Sequence, residues 1–229
     1  MKPARCTAPE LLQSRWIMSA IAESTGVWEI LNRSLFFVKN VVKRLEAKTS
    51  DKFDVYDPNH RELVLECREP ELGAFTKVRR LAGGRYDAGS PFDFVVTIAG
   101  SGEPAFRISC KIPFISLSKP PVEVYDSNGA MIGSLKRKYW SFGRTFKVSM
   151  QGGVRLFKLR SKGLRGYRII IQDKEVATVL PNANGHQSDY FAQGFARAVS
   201  FADDVPPNDH VRPLVLGFAL SSHRIVNYV

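Results

Sequence analysis

The chain has 229 residues, 44% of them hydrophobic and 11% aromatic, enough apolar surface to close a core and outside the composition of a disordered protein. Its three cysteines, Cys6, Cys67 and Cys110, stand 61 and 43 residues apart, which fits neither a disulfide framework nor a CxxC metal site and points to a reducing, cytoplasmic setting. The net charge of +11 is not spread evenly: between Ser127 and Gln172 lie eleven basic residues and no acidic one, while the other 22 Lys and Arg are balanced by 22 Asp and Glu.

In chain order, residues 9–47 read as helical, with Leu12, Trp16, Ala20 and Ile21 at three- and four-residue spacings and a second apolar set at Trp28, Ile30, Leu31 and Leu35. Asn32 and Ser34 mark a break, after which Leu35 to Leu45 fits helix or strand equally. Gln13, Ser14, Arg15, Ser19 and Glu23 interrupt the apolar residues near the start, so no secretory signal is expected.

From Phe53 onward short alternating runs are separated by turn residues: Asp57-Pro58-Asn59, Gly100-Ser101-Gly102, Asn128-Gly129, Gly152-Gly153 and Gln172-Asp173. This texture predicts antiparallel hairpins at 53–68, 92–111, 122–138, 144–160 and 167–180. A short internal repeat reinforces it. Phe53-Asp54-Val55-Tyr56-Asp57-Pro58-Asn59 returns 69 residues later as Val122-Glu123-Val124-Tyr125-Asp126-Ser127-Asn128, with the apolar residues on one face of each strand.

The C-terminal run Leu214-Val215-Leu216-Gly217-Phe218-Ala219-Leu220 is apolar all round, which predicts burial on every side. Pro213 suits the first turn of a helix. A membrane span needs about 20 apolar residues, and Arg212 and Arg224 enclose only eleven positions; no transmembrane span is expected. The pattern predicts a mainly β chain, a closed antiparallel β-barrel of about twelve strands around an apolar C-terminal helix.

Three stretches resemble the phospholipid scramblase, LURP-one-related and Tubby C-terminal superfamily. They are Phe37 to Glu46 running into Lys52-Phe53-Asp54-Val55-Tyr56-Asp57, the segment Val122 to Gly133, and the helix from Leu214 to Val229. The resemblance covers about residues 35–229 and implies a barrel domain over 35–229 with its central helix at 212–229. Residues 1–34 are then an added helical N-terminal segment, with only Pro3 and Pro9 where scramblases often have a proline-rich region. It implies a module that binds anionic, phosphoinositide-like phospholipid at a membrane surface, and raises phospholipid scrambling as a further activity. Mammalian scramblases have a cysteine cluster where this chain keeps only Cys110, and an acidic calcium-binding stretch where it has Asp203, Asp204 and Asp209. These three lack the Gly and twelfth-position Glu of an EF-hand, so they are weak metal candidates and no cofactor is expected.

His60, His186, His210 and His223 are scattered, and no GxSxG, GxxxxGK[ST] or dinucleotide fingerprint is present; a non-enzymatic protein is expected. The candidate binding residues are Lys136, Arg137, Lys138, Tyr139, Trp140, Arg144 and Lys147, extended by Lys158, Arg160, Lys162 and Arg165. Cations interleaved with aromatics suit phosphate head groups at a membrane interface. The same composition suits nucleic acid and transcriptional regulation, and a third reading is a scaffold for a hydrophobic ligand or a protein partner.

Overall fold

The computed structural model describes residues 26–41, 51–70, 91–111, 120–137, 144–150, 153–162, 166–181 and 196–225. After a helical stretch at 26–31 come twelve strands: β1 (Leu35–Asn40), β2 (Lys52–Asp57), β3 (Glu62–Arg68), β4 (Phe92–Ile98), β5 (Pro104–Cys110), β6 (Val122–Asp126), β7 (Met131–Arg137), β8 (Arg144–Met150), β9 (Gly153–Lys162), β10 (Gly166–Ile171), β11 (Lys174–Pro181) and β12 (Ala196–Phe201). A single long helix, α1 (Val211–Ile225), follows. The chain is therefore mainly β with a C-terminal helix, and the five hairpins expected from turn chemistry are all present.

Every pairing is antiparallel and joins sequence neighbours, except that β1 bonds to β12 on one side and β2 on the other. The strand order is thus a closed ring. Alternation fixes which face points inward: Phe53 and Val55 are buried on β2, and Phe92, Phe94 and Val96 on β4, with the less buried Asp54, Asp93 and Val95 between them. Register carries this face from strand to strand, as Phe94 lies opposite Ile108, Ile108 opposite Val124, Val124 opposite Gly133 and Leu135 opposite Val148.

Residues 211–222 of α1 are buried without a break. Phe218 meets Phe146 of β8 and Tyr167 of β10 edge-on at 5.7 and 6.2 Å. Leu214 packs beside Gly133 of β7, and Gly217 beside Val124 of β6 and Ile108 of β5. Both glycines permit close approach: a Cβ on Gly133 would stand 2.7 Å from the Ser149 carbonyl oxygen, whereas one on Gly217 would stand 3.1 Å from a Val124 methyl.

The buried Arg212 and the partly buried Arg197 tie the helix to its surroundings at its first turn and in its C-terminal half. Arg212, in the first turn, donates to the carbonyls of Leu31 (3.2 Å), Arg33 (3.2 Å), Val205 (2.9 Å) and Pro206 (3.2 Å), and its guanidinium lies over the Phe201 ring at 4.9 Å. At the other end Arg197 of β12 donates to the Ala219 carbonyl (2.6 Å) and the Ser222 hydroxyl (2.5 Å), placing a cation where the helix dipole is negative. Burial lowers the pKa of both arginines, but a guanidinium stays charged inside proteins.

The sequence repeat is also a structural repeat. A register shift interrupts β2 at Val55/Tyr56 and β6 at Val124/Tyr125. Asp57 and Asp126 accept hydrogen bonds from the backbone N–H of Asn59 (2.8 Å) and Asn128 (2.9 Å), and each Tyr hydroxyl donates to the carboxylate two residues earlier. The two copies differ in burial. Asp57 is 2% exposed and accepts from Arg33 (2.7 Å) and His60 (2.9 Å), tying residue 33 to the β2–β3 turn.

The structure decides one open reading and adds one element. Residues 35–40, which fitted either element, form a strand, because Phe36 and Val38 must face inward beside β12 and β2. A strand at 196–201 had no expectation attached; α1 starts at Val211 and is described to Ile225, and the remainder of the expected 212–229 helix lies outside the described residues. Residues 9–25 lie outside the described residues, while Val27 and Leu31 of the helical stretch belong to the same core as the strands.

Gly133→Ala is expected to lower stability by about 1–3 kcal/mol because backbone blocks the new methyl. Gly217→Ala is expected to be nearly neutral, since a helix-propensity gain of about 1 kcal/mol offsets its tight contact; urea midpoints at constant m-value separate the two. Burial raises the Asp57 pKa, but the hydrogen bonds from His60 and Asn59 and the Arg33 charge outweigh it, leaving the carboxyl below its ordinary 3.8. A depressed folded pKa contributes stability above the unfolded value that is lost as pH falls through the folded one. Asp57→Asn should therefore be less stable than the parent at neutral pH, with the gap closing in acid below pH 3.8; a gap independent of pH would show that ionisation of Asp57 contributes nothing.

Candidate functional site

The eleven cations between residues 127 and 172 fall on or beside four adjacent strands, β7 to β10, and backbone register sorts them by face. Lys136 stands directly opposite Lys147. Both are exposed, next to inward Leu135, Phe146 and Val148, so they share the outer face. Like charges placed directly opposite destabilise a sheet, and among the described residues neither lysine has an acidic partner.

The outer row continues across the sheet. Lys147 pairs with Leu156, Lys158 is two residues further along β9 opposite Thr145, and Arg160 lies opposite Arg168 of β10. Lys162 follows on the same alternation opposite Gly166. From β7 to β10 the row crosses about 14 Å. Arg168 is half-exposed and meets Glu175 at 3.7 Å. Sequence reasoning left Arg168 out of the site; its alternation with inward Tyr167 and Ile169 was the available signal.

Other candidates are not brought into this row. Arg137 pairs with Phe146 and Arg144 with Leu159, positions in the inward-facing rows at the end of the sheet. Lys138, Tyr139, Trp140 and Arg165 lie outside the described residues.

Several charges on the rest of the wall are paired. Arg68 reaches Asp54 (2.6 Å) and Glu66 (3.1 Å), Arg107 grips Asp93 through two nitrogens, and Tyr125 donates to Glu123 (2.7 Å). The Tyr125 hydroxyl is held above its usual pKa, first by that hydrogen bond to Glu123. A groove of about 290 Å³ runs outside β5 past Arg107, Lys111 and Tyr125, but its central cation is the one committed to Asp93.

Groups with reactive chemistry are occupied structurally. Burial pushes the Cys110 thiol up to about 12 and raises Cys67 as well, so both are protonated at neutral pH and inert as nucleophiles. Asp204 is paired with Lys174 at 2.6 Å, Asp209 accepts from the Val211 N–H at 2.8 Å, and Asp203 is exposed. Among the described residues no three His, Cys, Asp or Glu side chains converge on a metal position. His60 is bound to Asp57, and His210 meets Trp28 edge-on at 5.9 Å.

What distinguishes the outer face of β7 and β8 is therefore the directly opposed, exposed pair Lys136 and Lys147, which has no acidic partner among the described residues. No family model, no curated protein and no solved structure matches this chain.

Proposed function

We propose that the chain is a non-enzymatic module that binds an anionic phospholipid surface through the outer face of β7–β10. The single observation behind this reading is the Lys136–Lys147 pair, exposed, directly opposed and without acidic partners among the described residues. Such a pair costs stability in isolation and is relieved by phosphate. Lys158, Arg160 and Arg168 extend the row by register.

Shape favours lipid over nucleic acid. Sequence readout in duplex DNA uses a helix or two-stranded ribbon that enters a groove, whereas the cations here lie on one wall of a sheet. A set of about five cations on such a wall can meet head groups anywhere on a planar bilayer, each contributing about 1 kcal/mol.

The ring of strands and the buried apolar helix support a scramblase-like or Tubby-like reading, in which the sheet is a closed barrel and the helix is its core. Scrambling by this helix is disfavoured on the same ground. No helix among the described residues is long and apolar enough to cross a membrane, and the apolar residues of α1 are buried against the strands. A peripheral, cytoplasmic-side location accords with that reading.

Lys136→Ala with Lys147→Ala should weaken co-sedimentation with phosphatidylserine-containing vesicles roughly thirtyfold, from about 2 kcal/mol of lost attraction. Binding to phosphatidylcholine vesicles should be negligible before and after. Unchanged binding to anionic vesicles would sink the proposal, and tight, salt-sensitive binding to duplex DNA without vesicle binding would put the nucleic-acid reading in its place.

A further inference from the structure

The strand ends differ sharply in charge from the basic wall. Five connections, at 58–61, 99–103, 127–130, 172–173 and 202–210, leave the same end of the ring, since they join the finishing ends of β2, β4, β6, β10 and β12 to the next element. They hold the acidic residues Glu103, Asp173, Asp203, Asp204 and Asp209 against the one cation Arg61. Glu103, Asp173, Asp203 and Asp204 are exposed, although Lys174 answers Asp204.

The exposed cations of the β7–β10 wall sit away from this end. Lys136 is five residues along β7 from Met131, where that strand leaves its turn, a rise of about 17 Å. Lys147 is level with it by register, and Arg168 belongs to the half of β10 before Ile171. The helix runs the same way, from Arg212 at the acidic end to Ser222 beside Arg197.

A molecule with acids at one end and unpaired cations on one wall toward the other feels a turning force above an anionic plane, because attraction and repulsion act on different parts of it. We infer that the protein docks on an anionic bilayer in a single orientation, with the β7–β10 wall against the lipid and the acidic short-turn end raised from it. The inference rests on the lipid-binding reading and adds its geometry. It also sets the direction of the chain: residues 26–34, bonded to Arg212 and Asn208 at the acidic end, face away from the membrane and are accessible to a second partner while lipid is bound.

The test uses an environment-sensitive dye on single cysteines in the full chain, in a Cys6→Ser background that leaves the buried Cys67 and Cys110 in place. Ser134→Cys reports from the outer face of β7 two residues from Lys136, and Ser101→Cys from the β4–β5 turn. Thr178→Cys, opposite Arg168 in register, is a second wall reporter in case the first perturbs folding. On phosphatidylserine-containing vesicles with a lipid-borne quencher, all labelled proteins should co-sediment, with quenching several-fold stronger at 134 and 178 than at 101. Equal quenching at all three positions, or stronger quenching at 101, with co-sedimentation intact, would overturn the orientation and leave lipid binding standing. Loss of co-sedimentation for the unlabelled parent would overturn the lipid reading and the orientation together.

Discussion

An uninterrupted apolar helix can exist in water only if something covers all of its faces, and the structure is organised around meeting that demand. Between Leu214 and Leu220 no side of α1 is available to solvent. One sheet face covers one side of a helix; in the proposed barrel the strands, whose order runs from β12 back to β1, cover the others. The inward rows of Phe, Val, Ile and Leu, the small residues at 133 and 217, and the edge contacts of Phe218 with Phe146 and Tyr167 all answer to that single constraint.

The ends of such a helix are the difficult places, since they bring polar backbone into an apolar interior. Near the start of α1 Arg212 donates to carbonyls of the segments packed around it, and Arg197 donates to Ala219 and Ser222 within its C-terminal half, in both cases without a carboxylate partner. A carboxylate partner would add a second buried charge and its desolvation cost. Carbonyls need donors in any case. Arg212 thereby joins three segments distant in sequence, 31–33, 205–206 and the start of α1, so the entry of the first strand and the entry of the helix are closed by one side chain.

Much of this was legible from residue pattern. Gln172-Asp173 marked a two-residue turn, and both residues have positive φ, at 52° and 63°, as a tight hairpin requires. The Phe53 and Val122 motifs announced a shared strand-and-turn unit that the structure repeats down to its register shift. What was not legible is instructive. Leu-Phe-Phe-Val at 35–38 is apolar without alternation, so only pairing with β12 and β2 settles it as a strand. Ala196–Phe201 has Gly194 before it and Asp203-Asp204 and Pro206-Pro207 after it, but Arg197 and Ser200 interrupt its apolar residues, so no hairpin partner was announced. For the site, the sequence shows that eleven cations cluster but not which share a face. That depends on register: Lys136 and Arg137 are chain neighbours, yet one lies in the outer row and the other in an inward row.

These features divide labour within the chain. The apolar helix is buried, several charges on the β2–β6 wall are held by one another, and the opposed Lys136 and Lys147 on the β7–β8 face have no acidic partner among the described residues. The division stands or falls on whether the helix stays inside. Amide hydrogen exchange measured with and without phosphatidylserine-containing vesicles tests this directly, because core amides open only at the free energy of global unfolding. Residues 214–220 should be among the slowest to exchange and unchanged by lipid, while protection appears on β7–β10. Fast exchange of 214–220 in solution, or protection gained there only when vesicles are added, would contradict the account and return the helix to the membrane.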